Sequence, residues 1–340
     1  MKRIFVILLS MLLLSGCVAP TQQTQTQYNA TFLSLFDTVT TIVGKADSEA
    51  EFQEKVQAIR EELDYYHRLF DIYNTYDGIV NLKTVNDMAG VAPVHVSNEI
   101  MALLTDCLAY YQATDGRFNP AMGSVLRLWH EAREDSLNDP QNAYLPADTD
   151  LQKAAQHMDA GKIILDKDNS TVFFADPELK LDVGAIAKGW AVERVCQNAP
   201  EGLLISVGGN VVATGPKDSN GTPWAVGIQN PDGSSNYLHI LNVTGGSIVT
   251  SGSYQRAYVV NDKLYHHIID PSTLYPSEHW VSVTVIASDS GLADMLSTSL
   301  FLMDQEEGQR LLTLFGACAM WVDQDGNKYY SSGFQEFIRN

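Results

Sequence analysis

Lys162–Gly215 reads KIILDKDNSTVFFADPELKLDVGAIAKGWAVERVCQNAPEGLLISVGGNVVATG. Apolar runs at Ile163–Leu165, Thr171–Phe174 and Leu203–Val207 have the length of strands and are bounded by turn residues. One helical pattern, Ala185–Asn198, lies between the second and the third. Strands in blocks, interrupted by a single helix, predict an α+β fold of mixed and antiparallel strands with segregated helices, not a doubly wound parallel sheet.

The same texture continues toward the C-terminus. Strands are predicted at Trp224–Ile228, Leu238–Val243, Tyr254–Val260 and Val281–Ile286, then a helix at Gly291–Met303. Toward the N-terminus helices prevail. Ser48 with Glu51 three residues on resembles a capping box, and Phe52, Val56, Ile59, Leu63, Tyr66 and Phe70 keep a helical stripe to about Tyr73. Further helices are predicted from Ser97 to Asp115-Gly116 and over Ala121–Glu134, with a strand at Leu35–Val43. Residues 31–340 show no linker and no repeat, so one large domain is expected. No GxGxxG opens a helix after a strand and no GxxxxGK[ST] occurs, so the common nucleotide-binding folds lack support.

Lys2 and Arg3 lead a short apolar run, Ile4–Leu14, that ends in Leu14-Ser15-Gly16-Cys17. A charged start and a run too short to span a bilayer mark a secretory signal, here resembling a lipoprotein signal over residues 1–17 with Cys17 as the lipidated residue; a plain signal peptide with a chance cysteine, or an uncleaved anchor, has the same look. Residues 18–30, rich in Thr and Gln, read as a flexible tether to a membrane facing outward from the cytoplasm. The net charge of −19 argues against nucleic acid as a ligand and requires a local cationic site for any anionic one. Cys107, Cys196 and Cys318 lack CxxC spacing and read as buried thiols, with one disulfide left open.

Four segments break otherwise regular elements. In Leu181–Gly189 a strand turns through Gly184 into a helix whose free amides favour an anion, with Lys188 one turn in and Asp182 suited to a base or ribose; an ordinary junction has the same look. Val207-Gly208-Gly209-Asn210 permits close backbone approach, or a tight hairpin. Gly245-Gly246-Ser247 with Thr250–Ser253 offers hydroxyls and amides as a phosphate cradle, or a plain loop. Asp294 and Thr298, four apart on one helix, offer hard oxygen ligands that suit Mg²⁺; alone they read equally as a solvated acid and a hydroxyl bonded back to its own helix. His267 is either a core histidine or an acid-base group.

Taken in order, DVGAIAKGWA (182–191), ISVGGNVVATG (205–215), TSGSY (250–254), HHIIDPSTLYP (266–276) and VTVIASDSGLADMLSTSLFLM (283–303) resemble the FAD:protein FMN transferase family, the ApbE-like flavin transferases. Weaker matches are LFDTVTT (35–41), FDIYN (70–74) and GRFNPAMGSVLRLW (116–129). The resemblance implies an ApbE-like, T-fold-related domain over residues 31–340, with Mg²⁺ held by the main-chain oxygen of Ala185 and by Asp294 and Thr298. It implies FAD contacts at Leu35, Tyr73, Asn119, Pro120, Ala121, Asp182, Lys188 and His267. The family often has Met-Gly-Thr where this chain has Phe36-Asp37-Thr38, and usually a glycine where it has Leu274.

The implied reaction moves FMN from FAD onto a Ser or Thr of a partner flavoprotein and releases AMP. Asp294 would act through the metal and His267 would assist deprotonation, with Asp270 orienting it or only capping a turn. This chain has no convincing copy of the acceptor motif, so the acceptor is expected in trans, as a redox ion pump subunit or an extracytoplasmic reductase. Two alternatives are a Mg²⁺-dependent FAD pyrophosphatase, in which water is the nucleophile, and a non-catalytic flavin-binding lipoprotein.

Overall fold

In chain order the described residues, 25–339 of a computed structural model, form β1 (Thr26–Leu35), β2 (Thr38–Ala46), α1 (Glu49–Phe70), α2 (Leu82–Asp87), β3 (Val94–His95), α3 (Asn98–Ala113), α4 (Gly123–Asn138) and α5 (Asp148–Ala155). There follow β4 (Ile163–Asp166), β5 (Thr171–Phe174), α6 (Ala187–Asn198), β6 (Leu203–Val207), β7 (Asn210–Ala213), β8 (Trp224–Gln229) and β9 (Tyr237–Val243). The chain ends through β10 (Gly246–Gly252), β11 (Ala257–Val260), β12 (Lys263–His266), β13 (Ser282–Ala287), α7 (Ser290–Phe301), α8 (Gln305–Phe315), β14 (Cys318–Val322) and β15 (Lys328–Tyr330).

Eight strands pair antiparallel in the order β1-β2-β6-β7-β10-β13-β14-β15. Register puts Val207, Val249 and Val285 on the face that joins the main core with Leu63, Trp190 and Leu296. The opposite face, with Ile248, Ile286 and Met320, packs on Trp224, Ile228 and Leu241 of the β8–β9 hairpin. Covered on both sides, β13 and β14 are buried at every position. A third cluster joins Trp129 of α4 to Tyr258 of β11 and to Leu274. The α+β expectation is met, and among the described residues no helix is long and apolar enough to cross a membrane.

Four local expectations change. Leu35–Val43 is not one strand: the chain reverses at Phe36-Asp37, and residues 26–30, expected in the tether, form the first half of β1, pairing Thr26↔Ala46 through Ala30↔Ile42. A polar edge strand buries little, so its composition matches that of a linker. The Gly246–Gly252 stretch, read as a loop, is β10, and its hydroxyls face neighbouring elements. The strand expected at Tyr254–Val260 starts only at Ala257, and α2, α5, α8, β14 and β15 carried no distinct sequence signal. The expected signal and Cys17 lie outside the described residues. Cys107, Cys196 and Cys318 are free thiols.

Gly208 and Gly209, with φ of 56° and 93°, make the two-residue hairpin between β6 and β7. A Cβ on Gly208 would stand 2.6 Å from Thr38 Oγ1, so this turn packs directly on the β1–β2 turn.

The Ser48 hydroxyl accepts the Glu51 N–H at 3.2 Å while the Glu51 carboxylate accepts the Asp47 N–H at 3.1 Å. Ser48→Ala removes the first bond at the head of α1. It is expected to cost about 1 kcal/mol, read as a lower urea midpoint with an unchanged slope.

Candidate active site

The site is built where α6 and α7 nearly touch. A Cβ on Gly189 would lie 2.2 Å from the Ser290 carbonyl oxygen and 2.6 Å from Asp294 Cβ, so only glycine permits this approach. It carries Asp294, 4% exposed, to the head of α6. Ile186, the residue at the N-cap of α6, offers no side-chain bond. Asp294 supplies the cap from another helix: its Oδ2 accepts the Gly189 N–H at 2.9 Å.

That substitution frees an oxygen. Gly189 N–H would ordinarily donate to the Ala185 carbonyl four residues back, but it turns to Asp294, and among the described residues no backbone hydrogen bond is formed to the Ala185 oxygen. Among the described residues Asp294 Oδ1 likewise forms no hydrogen bond. Thr298 Oγ1 has only a 3.5 Å contact with Ser251 Oγ of β10, while the Asp294 carbonyl accepts from Ser297 instead. Asp294 is therefore neither a solvated acid, nor is Thr298 bonded back to its helix. The Lys188 ammonium lies 3.6 Å from Asp294 Oδ2 and donates to the Gly184 carbonyl at 3.2 Å, so one cation already spans the carboxylate and the turn that carries Ala185. Among the described residues no group of three His, Cys, Asp or Glu suits a metal; a cation here would rely on main-chain and hydroxyl oxygens, which is the donor set of Ala185, Asp294 and Thr298.

A second group of expected residues meets alongside. Asp182 N–H donates to the Pro120 carbonyl at 2.9 Å, joining the Asn119–Ala121 segment to the stretch that leads into α6, which is irregular and not the strand expected there. Asn119 Oδ1 accepts the Ala121 N–H and its amide donates to the Met158 carbonyl, which fixes that turn. Asp182 accepts the Gly184 N–H at 2.8 Å, and burial raises its pKa in spite of that bond and of the Arg256, His130 and Lys188 charges. The Tyr73 ring is 53% exposed and lies tilted 5.3 Å from that of His130; partial desolvation of its hydroxyl among neighbouring groups, together with the Asp182 charge, pushes its pKa up to about 12. Tyr73 and Asp182 line a cavity of about 640 Å³ with Asn86, Lys153, His157 and Lys180; Ala185, Lys188, His267, Asp294 and Thr298 are not in its wall. Leu35 is 6% exposed and belongs to the main core.

His267 is half-buried, and its Nδ1 has no hydrogen-bond partner among the described residues. Burial, reinforced by Arg256, His266, Lys188 and Arg133, brings its pKa down to about 3, so the ring is neutral at any physiological pH. Asp270 does not orient it: its Oδ1 accepts from Ser272 N–H and Oγ, and its Oδ2 lies 3.7 Å from Arg117, so it caps the turn. Between pH 6.5 and 3 the unfolded chain binds a proton at His267 that the native protein refuses, so this group's stabilisation is lost as pH falls through that window. His267→Gln is expected to show a shallower loss of stability than the parent over the same range, measured by urea unfolding at stepped pH.

Sequence reasoning missed Gly189, Arg133 and Arg256. Only Arg256 had a signal, since it closely follows TSGSY in an acidic chain. The two departures from the family pattern fall on left-handed backbone: Phe36, Asp37 and Leu274 have φ of 51°, 53° and 65°. Glycine adopts that conformation freely and these residues do so at a steric cost. Leu274 offsets it by packing in the Trp129 cluster, where its carbonyl accepts the Trp129 indole N–H at 2.9 Å.

A family model described as "ApbE family" matches residues 26–321. A curated relative named FAD:protein FMN transferase, from Treponema pallidum, is 33% identical over 272 residues, which is 76% of this chain and 75% of the relative. Another of the same name, from Salmonella typhimurium, is 30% identical over 309 residues, covering 86% of this chain and 83% of the relative. The crystal structure of the ApbE protein from Thermotoga maritima is similar with a TM-score of 0.82 and 29% identity, over 93% of this chain and 100% of that one.

Proposed function

This chain belongs to the ApbE family, and we propose that it is a Mg²⁺-dependent FAD:protein FMN transferase that joins FMN, through its phosphate, to a Ser or Thr hydroxyl of a partner flavoprotein and releases AMP. One observation carries the metal dependence. The Gly189 N–H is capped by Asp294, so among the described residues the Ala185 carbonyl and Asp294 Oδ1 form no hydrogen bond, and Thr298 Oγ1 has only a 3.5 Å contact with Ser251. Ala185, Asp294 and Thr298 would hold the cation, which when bound offsets diphosphate charge and favours in-line displacement.

The remaining work falls to the protein's own groups. Tyr73, Asp182 and the Asn119–Ala121 turn frame the entry of the dinucleotide, and Lys188 places an ammonium at the head of α6, where phosphate is favoured. His267, a weak base while only cations surround it, accepts the acceptor's hydroxyl proton as that oxygen bonds to the FMN-side phosphorus, the negative charge of the bound diphosphate raising its basicity. The bond from phosphorus to the bridging oxygen breaks, and AMP departs with that oxygen.

The acceptor acts in trans, as a subunit of a redox ion pump or an extracytoplasmic reductase, and a lipid on Cys17 holds the enzyme on the outward face of a membrane. The test incubates the full chain with FAD, Mg²⁺ and a candidate acceptor. Expected is a fluorescent acceptor band that survives denaturation, with AMP formed in step and both lost on chelation. Free FMN with no band would identify hydrolysis, and FAD binding indifferent to chelator with no AMP would identify a carrier.

A further inference from the structure

We propose that Arg256 is a substrate-binding residue whose guanidinium grips the non-bridging oxygens of the phosphoryl group under attack, from the side on which His267 stands. The inference rests on the transferase reading and adds a residue to it.

Register supplies the placement. β11 and β12 pair Ala257↔His266, Tyr258↔Tyr265, Val259↔Leu264 and Val260↔Lys263. Arg256 and His267 directly flank the first pair, where both strand ends bend out of the ladder, and the Arg256 charge acts on the His267 ring. Within the hairpin Tyr258 and Tyr265 meet Trp129 of α4, the helix that also carries His130 and Arg133. The loop before Arg256 is tied down: Ser253 N–H donates to the Val281 carbonyl at 2.9 Å, and Gln255 Nε2 lies 3.9 Å from the point where a Gly209 Cβ would stand. Two residues earlier than Ser253, Ser251 bonds Ser297 at 2.8 Å and approaches Thr298, so the same strand end reaches the oxygens assigned to the cation.

Among the described residues, Arg256 is the one of the lysine and arginine cations around His267 that forms no hydrogen bond or ion pair. Lys188 is engaged with Gly184 and Asp294, and Arg133 lies 2.8 Å from Glu134 and 3.2 Å from His130. Arg256 is exposed and forms no hydrogen bond or ion pair within the described residues, although acids outnumber bases 41 to 22 in the chain. Its charge nonetheless acts on His267, Asp182 and Tyr73, residues from both halves of the site. A planar fork of donors beside a neutral base matches a tetrahedral phosphate whose charge grows during attack.

The test compares parent, Arg256→Lys and Arg256→Ala in the FAD transfer assay, following adduct and AMP, with thermal melts as a check on folding. Arg256→Ala is expected to lower kcat by about 10²-fold with an unchanged Tm, and added guanidinium ion to restore at least about tenfold of it while leaving the parent unaffected. Arg256→Lys should retain more activity than Arg256→Ala, since the charge survives but not the fork. A kcat for Arg256→Ala within about threefold of the parent, or a loss that guanidinium does not relieve, overturns the assignment. If the parent itself makes neither adduct nor AMP from FAD, the transferase reading fails, and the arginine assignment falls with it.

Discussion

Asp294→Asn is expected to lower FMN transfer by about 10³-fold while leaving the protein folded. The two halves of that expectation come from two oxygens. Oδ2 caps α6 through the Gly189 N–H, and an asparagine carbonyl oxygen can accept the same bond, so helix packing survives. The negative charge does not survive, and with it goes the only carboxylate among the three proposed cation ligands. Extra Mg²⁺ should not restore the rate. Asp294→Ala differs because it also removes the cap inside the α6–α7 contact, and a further loss of about 1–2 kcal/mol should appear in denaturant unfolding. Activity of Asp294→Asn within tenfold of the parent would reduce Asp294 to a structural cap.

Gly189→Ala is expected to be the most damaging single methyl in the molecule. The added carbon would fall 2.2 Å from the Ser290 carbonyl oxygen, which is backbone and cannot rotate away, and 2.6 Å from Asp294 Cβ. The helices must separate, at a cost of about 3 kcal/mol or more, with a matching fall in Tm. Separation also withdraws Asp294 from the Gly189 N–H, which returns that donor to Ala185 and consumes the carbonyl lone pair. Transfer should therefore be lost even at temperatures where the variant remains folded, and saturating Mg²⁺ should not recover it. A folded variant with parental activity would show that the close crossing is unrelated to chemistry.

Much of this site was legible because its parts are local. Asp294 and Thr298 sit four apart on one helix, and Gly184 to Lys188 forms one turn, so spacing alone exposed their candidate chemistry. Their meeting was not legible, since it depends on a helix crossing set by Gly189, whose side-chain hydrogen is indistinguishable in sequence from any helical glycine. Arg256 was hidden for a related reason: His267 is eleven residues away and is brought near only because the β11–β12 hairpin pairs the residues next to them, Ala257 and His266. The fold followed the same division. Buried strands such as β6 and β13 declared themselves by apolar runs, whereas β1, polar and at a sheet edge, looked like tether, and β10 looked like a loop because its hydroxyls are spent inside the fold, Ser251 on Ser297 of α7 and Thr250 on Thr284 of β13. Asp270, which looked as though it could support His267, is spent on the Ser272 turn.

The position of the cation can be measured directly. Crystals grown with FAD and Mn²⁺ in place of Mg²⁺, with anomalous diffraction recorded at the manganese edge, should show a peak about 2.1 Å from the Ala185 carbonyl oxygen, Asp294 Oδ1 and Thr298 Oγ1, and Asp294→Asn crystals should lack it. A strong peak elsewhere, or flavin bound in the parent with no metal at those three oxygens, would contradict the proposed metal site.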